Sequence, residues 1–195
     1  MSKKKIFVLN GHPRQDCFCK AIADHYADVS SQTGYETRQL NLADMKFNIS
    51  LDGGYRDLQP LEPDLEAFWQ HIEWCDHFVM VHPLWWGGMP AKLKGVFDRS
   101  FLPGKAFDPS KGSGFPEKLL KGRSARVIIT SDTPKWYFNW GYSAAAFKQT
   151  GRQILGYCGF KPVSFTMFSP IQNSTDKQRV AWLKQVAAMA KVGLV

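Results

Sequence analysis

The sequence predicts a three-layer α/β sandwich, a five-stranded parallel sheet of order 2-1-3-4-5 with helices on both faces. Three observations carry that expectation. Short apolar runs alternate with stretches of helical period, which calls for parallel strands joined by right-handed crossovers. The first run, Ile6-Phe7-Val8-Leu9, is apolar without interruption, as a strand buried on both faces must be. Several strand ends run into loops rich in Gly, Pro, Ser and aromatic residues, where ligands of such sheets bind.

The first strand stops at Asn10-Gly11, and from Phe18 the positions Phe18, Ile22, Tyr26 and Val29 form one helical stripe that Gly34 ends. Residues 35–40 read as the second strand. Residues 41–60 show no sustained period and contain Asp52-Gly53-Gly54, the marks of a long surface loop. Such loops in compact domains are usually functional. Glu62-Pro63-Asp64 opens a second helix with Leu65, Phe68, Trp69, Ile72 and Cys75 on its stripe. Residues 77–81 form the third strand, and Pro90 starts a helix carrying Leu93, Val96, Phe97 and Phe101 until Pro103-Gly104 breaks it. A Gly-rich connection through Gly114 leads to a fourth strand at 126–130, a helix at 143–157 and a fifth strand at 162–168. Val180, Leu183, Val186 and Ala190 give the last helix its stripe.

At 195 residues, a single domain over 1–195 is expected, burying roughly 70% of the surface of the unfolded chain. The four cysteines show no metal-ligand spacing, and Cys17 and Cys19 are too close for a zinc knuckle, so no metal is expected. Free thiols point to a reducing, cytoplasmic compartment. The basic start at 1–5 is followed by an apolar run that ends at Leu9 with no cleavage-like site, so no signal peptide is expected. No apolar stretch approaches the ~20 residues that span a bilayer, so stable membrane insertion is not expected. The net charge of +8 is spread over scattered Lys and Arg without a recognition motif, which argues against a nucleic-acid partner. A basic field also suits anionic coenzymes or a solvated surface.

The switch point of the strand order falls between the first and third strands, which selects three loops. The first, Gly11-His12-Pro13-Arg14-Gln15-Asp16-Cys17-Phe18, joins a buried strand to a helix and aims unpaired N–H groups outward, an anion site. His12 and Arg14 add donors; His12 could instead simply cap the backbone. The loop matches neither the G-x-G-x-x-G nor the G-x-x-x-x-G-K-[ST] pattern, so neither a Rossmann dinucleotide site nor a nucleoside triphosphatase is indicated. The second loop, Pro83-Leu84-Trp85-Trp86-Gly87-Gly88, sets two tryptophans beside a closely approachable backbone, which suits a flat heteroaromatic ring. The same pair could serve as one core and one interface residue. The third loop, residues 131–137, offers Ser131, Asp132, Thr133 and Tyr137, all but the last ordinary turn residues.

Together these loops resemble the quinone reductase branch of the flavodoxin-like proteins, the NAD(P)H dehydrogenases of the quinone type. The likeness covers nearly the whole chain. It rests on Val8-Leu9-Asn10-Gly11-His12 with Cys17-Phe18, on 41–48, on 76–87, on Tyr157-Cys158-Gly159-Phe160, and above all on Met89-Pro90-Ala91-Lys92-Leu93-Lys94-Gly95-Val96-Phe97-Asp98-Arg99. The resemblance implies a flavodoxin-like fold and a homodimer that binds FMN, or alternatively FAD, without a covalent bond. NAD(P)H and a quinone-like acceptor would use one flavin face in turn by a ping-pong mechanism. It implies flavin contacts at His12, Cys17, Phe18, Pro83, Leu84, Trp85, Trp86, Gly87, Ser131, Asp132 and Thr133, to which the anion-site reading adds Arg14. Tyr137 is the candidate catalytic donor.

Two departures stand out. Cys17 occupies a position where many relatives have Ser, a better donor, and no histidine follows Tyr137 through Ser143, so a Tyr/His proton relay is in doubt. The chain ends soon after its last helix, whereas the FAD-binding relatives continue, which favours FMN. Other roles within the resemblance are an ancillary subunit of a potassium efflux system and a flavodoxin-type electron carrier; the latter usually has an acidic surface, against the +8 here. The dimer expectation rests on Met45, Phe47, Ile49, Leu51 and Tyr55 of the long loop, and on the helix with Leu93, Val96, Phe97 and Phe101, covering a twin's surface.

Overall fold

The computed structural model describes residues 3–111 and 114–193. Its elements are β1 (Lys5–Asn10), α1 (Phe18–Gln32), β2 (Glu36–Asn41), α2 (Pro63–Trp74), β3 (His77–Pro83), α3 (Ala91–Ser100), β4 (Phe107–Asp108), β5 (Glu117–Lys118), β6 (Ser124–Thr130), α4 (Lys135–Trp140), α5 (Ala145–Lys148), a π-helical segment (Gln149–Leu155), α6 (Gly156–Cys158), β7 (Val163–Phe168) and α7 (Asp176–Val192).

Among the described residues, five parallel strands pair in the order β2-β1-β3-β6-β7. With the short β4/β5 ribbon set apart, this is the expected 2-1-3-4-5. The central strands β3 and β6 are buried along their whole length, which their apolar runs require. The edge strand β2 carries the polar sequence ETRQLN and alternates in exposure over its first residues. One face of the sheet packs Ile22, Ala23 and Tyr26 of α1 with Val186 and Ala190 of α7. The other buries Leu65, Phe68 and Ile72 of α2, Leu93, Val96 and Phe97 of α3, and Leu155 and Cys158. Phe68 meets Phe7, Phe78, Phe97 and Phe101 with ring centroids 5.8–6.4 Å apart, the offset geometry aromatic rings prefer.

Several expectations are corrected. The third loop is shorter than its expected span, since α4 starts at Lys135 after Pro134 and takes up Tyr137. The helix expected at 143–157 begins at Ala145 and is wound as a π-helix through its middle. The Gly-rich connection contains the antiparallel β4/β5 ribbon; its Gly112 and Ser113 lie outside the described residues. On α7, Val180 is exposed, and Val186 and Ala190 make the buried contact while Trp182 stacks on Phe168 at 5.4 Å.

The long loop folds back on its own chain. Met45 is only 4% exposed, and Phe47 packs against the core. Leu93, Val96, Phe97 and Phe101, expected to face a twin, are likewise buried in this chain's core. The residues that still point outward are Ile49, Tyr55 and Leu58.

The motif around α3 explains this. Arg99, 1% exposed, reaches the Asn48 carbonyl, donates to the Pro60 carbonyl at 2.9 Å and pairs with Glu62 at 2.9 Å. Lys92 Nζ donates to the Met45 carbonyl at 2.7 Å. At Gly95 a Cβ would stand 2.8 Å from the Ile49 carbonyl oxygen, so only glycine lets the loop lie on the helix. From the other side, Asp64 accepts from the Lys46 N–H at 2.6 Å and Glu62 from the Asn48 N–H at 3.0 Å. Burial works against ionisation of Glu62, and the Asn48 N–H with the Arg99 guanidinium outweighs it, leaving the carboxyl below its usual range.

Candidate active site

The ends of β1, β3 and β6 meet at the switch point, where Asn10 pairs with Val81 and Pro83 with Thr130. The Gly11 N–H donates to the Val81 carbonyl at 2.7 Å and the Leu84 N–H to the Thr130 carbonyl at 2.8 Å, which fixes both loops to the sheet. Between them lies a cleft of about 220 Å³ lined by His12, Arg14, Cys17, Phe18, Cys19, Pro83, Leu84, Trp85, Thr130, Ser131, Asp132 and Ile171. Nine of these are sequence-expected contacts. Trp86, Gly87, Thr133 and Tyr137 are not among its lining. Cys19 and Ile171 are the residues sequence reasoning missed, and Thr130, at the head of the third loop, joins them in the lining.

The first loop is organised to present donors. The Asn10 side chain accepts from the His12 N–H at 3.2 Å, and His12 Nδ1 accepts from the Arg14 N–H at 3.0 Å. The second bond requires the His12 proton on Nε2, leaving that N–H free to donate. Burial, and then the Arg14 charge, lower the His12 pKa, so the ring is neutral at pH 7. Cys17 is the N-cap of α1 with no side-chain capping bond, so the positive end of α1 stays open toward the cleft.

In its protonated form the Cys17 thiol, in the cleft wall, donates to the Arg14 carbonyl at 3.2 Å. The neighbouring Cys19 thiol, followed by the helix N–H groups and Arg14, outweighs burial and lowers its pKa to about 6. Cys19 in turn meets the Thr130 hydroxyl at 3.1 Å.

The second loop is a two-residue turn in which the Trp85 and Gly88 N–H groups donate to each other's carbonyls at 2.9 and 3.0 Å. Trp86 (φ 50°) and Gly87 (φ 76°) are both left-handed, as a type I′ turn needs. Gly adopts that backbone freely, whereas for a tryptophan it is strained. The turn separates the two rings. Trp85 faces the cleft and meets His12 edge to face at 5.5 Å, while Trp86 stands fully in solvent. Trp86, Gly87 and Gly88 instead border a second cavity of about 470 Å³ against Ala145, Gln149 and Gln153.

In the third loop, Ser131 Oγ accepts from the Thr133 N–H at 2.9 Å. Asp132 accepts from the Ile171 and Gln172 N–H groups at 2.9 and 2.6 Å, so its carboxylate pins the turn after β7. That turn is how Ile171 reaches the cleft, from a loop the switch-point rule did not select. Tyr137 is partly exposed on α4, packed edge to face on Trp136 and Tyr142 at 5.5 and 5.0 Å.

Among the described residues no group of His, Cys, Asp and Glu could hold a metal, no helix is long and apolar enough to cross a membrane, and all four cysteines are free.

A family model described as a flavodoxin-like fold matches residues 4–190. The chain is 29% identical to an NAD(P)H oxidoreductase of Haemophilus influenzae over 96% of this chain and 94% of the other. It resembles the crystal structure of Smu.1420 from Streptococcus mutans UA159 with a TM-score of 0.77, at 27% identity, covering 96% and 99% of the two chains. A shorter match, 37% identical over 36% of this chain and 38% of the other, is to an FMN-dependent NADH:quinone oxidoreductase of Ruegeria pomeroyi.

Proposed function

We infer, since this chain belongs to the flavodoxin-like fold family, that it is an oxidoreductase that holds FMN in the cleft and passes two electrons from NAD(P)H to a quinone-like acceptor in the cytoplasm. The observation that carries the reading is the convergence in one cleft of Arg14, the free N–H of neutral His12, the open N-terminus of α1 and the face of Trp85. That donor set fits a phosphate beside an aromatic ring. A volume of about 220 Å³ suits the phosphate and sugar-alcohol end of FMN, with its ring lying over the rim. It leaves little room for the second phosphate and adenosine of FAD. The oxidoreductases of Haemophilus influenzae and Ruegeria pomeroyi support the same reading.

Bound flavin supplies the two-electron exchange. The protein's part is binding and electrostatics. Arg14, His12 Nε2–H and the positive end of α1 hold the phosphate, with Cys17 in the cleft wall. Trp85 walls the ring. The Ser131 hydroxyl, in the cleft wall and fixed by the Thr133 N–H, offers a donor where negative charge develops. Tyr137 holds a proton at its hydroxyl for the acceptor. Coenzyme and acceptor use the same face in turn. The whole chain acts as one flavin-binding domain, and Ile49, Tyr55 and Leu58 supply the apolar patch by which two copies pair, each completing the other's acceptor site.

The absorbance spectrum of the purified protein, followed by mass analysis of the released cofactor, tests this directly. FMN bands that NAD(P)H bleaches anaerobically and a benzoquinone restores are expected. A colourless protein whose melting temperature does not move on adding FMN or FAD would end the reading.

A further inference from the structure

We propose that the basic groove between the helical stretch 145–158 and β7 holds the 2′-phosphoadenosine end of the nicotinamide coenzyme, so that the enzyme prefers NADPH to NADH. The proposal rests on the function inferred above and names its electron donor.

The groove is a cavity of about 740 Å³ whose lining includes Lys118, Lys121, Lys148, Arg152 and Lys161 and no carboxylate. Two of these cations are occupied. Lys118 donates to the Gly156 carbonyl at 2.7 Å, and Lys121 lies 4.0 Å from Glu117. Lys148, Arg152 and Lys161 have no ion-pair partner among the described residues. Lys148 and Arg152 are four residues apart on one helical stretch, a like-charge spacing that works against the helix. A bound anion turns that repulsion into attraction. The segment carrying Arg152 is π-wound, a geometry frequent at functional sites.

The floor of the groove fits the rest of the ligand. Phe147 and Phe165 stack with centroids 4.5 Å apart and an interplanar angle of 25°, giving an aromatic surface for a purine. The groove runs on toward the second loop. Lys148 borders both this cavity and the smaller one beside the Trp86-Gly87-Gly88 turn, and Gln149 Oε1 approaches Gly88 there. From Gln149 to Gly156 the helical path is about 10 Å, within the span of a dinucleotide whose nicotinamide lies at the turn. A pyrophosphate alone would leave part of the positive charge unanswered. The 2′-monoester, close to doubly charged at neutral pH, answers it, and Arg152 offers the planar fork that grips phosphate with two bonds.

The test uses the FMN-loaded protein and the variants Arg152→Gln, Lys161→Gln and their combination, all at exposed side chains. Kinetics with NADPH and NADH against a short-chain benzoquinone are set beside calorimetric binding of 2′,5′-ADP and 5′-AMP. The wild type is expected to bind 2′,5′-ADP at least tenfold more tightly than 5′-AMP. The double variant should lose that difference, and its NADPH-to-NADH ratio of kcat/KM should fall about tenfold, mostly through KM. Equal affinity for the two nucleotides, or a double variant that keeps the wild-type selectivity, overturns the proposal. Selective 2′,5′-ADP binding by a protein that oxidises neither coenzyme would leave the groove standing and sink the reductase reading instead.

Discussion

The long loop after β2 and the two loops that frame the cleft look alike in sequence, each rich in Gly, aromatic and polar residues, yet their polar groups are used in opposite ways. In the long loop nearly every handle points inward: Arg99 and Glu62 take up backbone groups of 48 and 60, Asp64 holds Lys46, and Lys92 holds Met45. In the cleft loops the internal bonds only aim groups that are then left over, such as His12 Nε2–H and the positive end of α1. Polar capacity spent within the chain marks architecture, and polar capacity left facing a concavity marks a site.

Removing the buried clamp should break the first half of that contrast most severely. Arg99→Ala strips two carbonyls and a carboxylate of their buried partner and is expected to cost about 3 kcal/mol, a fall of roughly 6–12 °C in melting temperature by calorimetry. The cleft should respond in the other sense. His12→Ala and Arg14→Ala are expected to melt as the wild type does while FMN affinity falls ten- to a hundredfold, about 1.4–2.8 kcal/mol, with riboflavin affinity changed far less. Titration by flavin fluorescence decides this, and equal losses for both ligands would move these residues away from the phosphate.

Much of this was legible in the chain. Uninterrupted apolar runs and clean helical stripes gave the five principal strands, their order and the loops at the switch point. The misses have local causes. The short α4 is hidden because Lys-Trp-Tyr-Phe-Asn-Trp buries only Phe138 and so shows no stripe. The π-winding shifts the period of the next helix. Ile171 reaches the cleft through its N–H bonds to the Ser131 carbonyl and the Asp132 carboxylate, 39 to 40 residues away, which no local pattern reveals. Arg99 was visible as part of a motif, but its partners lie 37 to 51 residues away.

The Trp85-Trp86 pair sharpens the comparison within a single turn. Trp86→Gly relieves a left-handed backbone and is expected to stabilise by about 1 kcal/mol, seen as a higher melting temperature, with little loss of flavin. Trp85→Ala should instead weaken flavin retention, and equal retention by both variants would remove Trp85 as the wall of the ring.

The smallest expected effect is on a proton. The folded Cys17 pKa lies below that of an ordinary thiol, so its thiolate form grows as pH rises through about 6 and is nearly complete at pH 7. Iodoacetamide labelling of flavin-free protein should therefore level off above about pH 7, where an ordinary thiol would still be gaining reactivity. FMN should slow it, because a phosphate beside the helix end disfavours the thiolate. Labelling that keeps rising to pH 9 would show that Cys17 titrates as an ordinary cysteine.

The Arg99 clamp also has a kinetic side. Its partners lie 37 to 51 residues away in the chain, so the clamp is expected to close late, after α3 has packed on the sheet. Such late contacts are absent from the folding transition state, and loosening them leaves the rate of folding nearly unchanged while speeding the escape from the native state. Arg99→Ala is then expected to raise the unfolding rate and leave the refolding rate nearly unchanged in stopped-flow measurements, which would make the clamp a latch on the exit that sets how long each molecule stays folded more than how quickly it gets there.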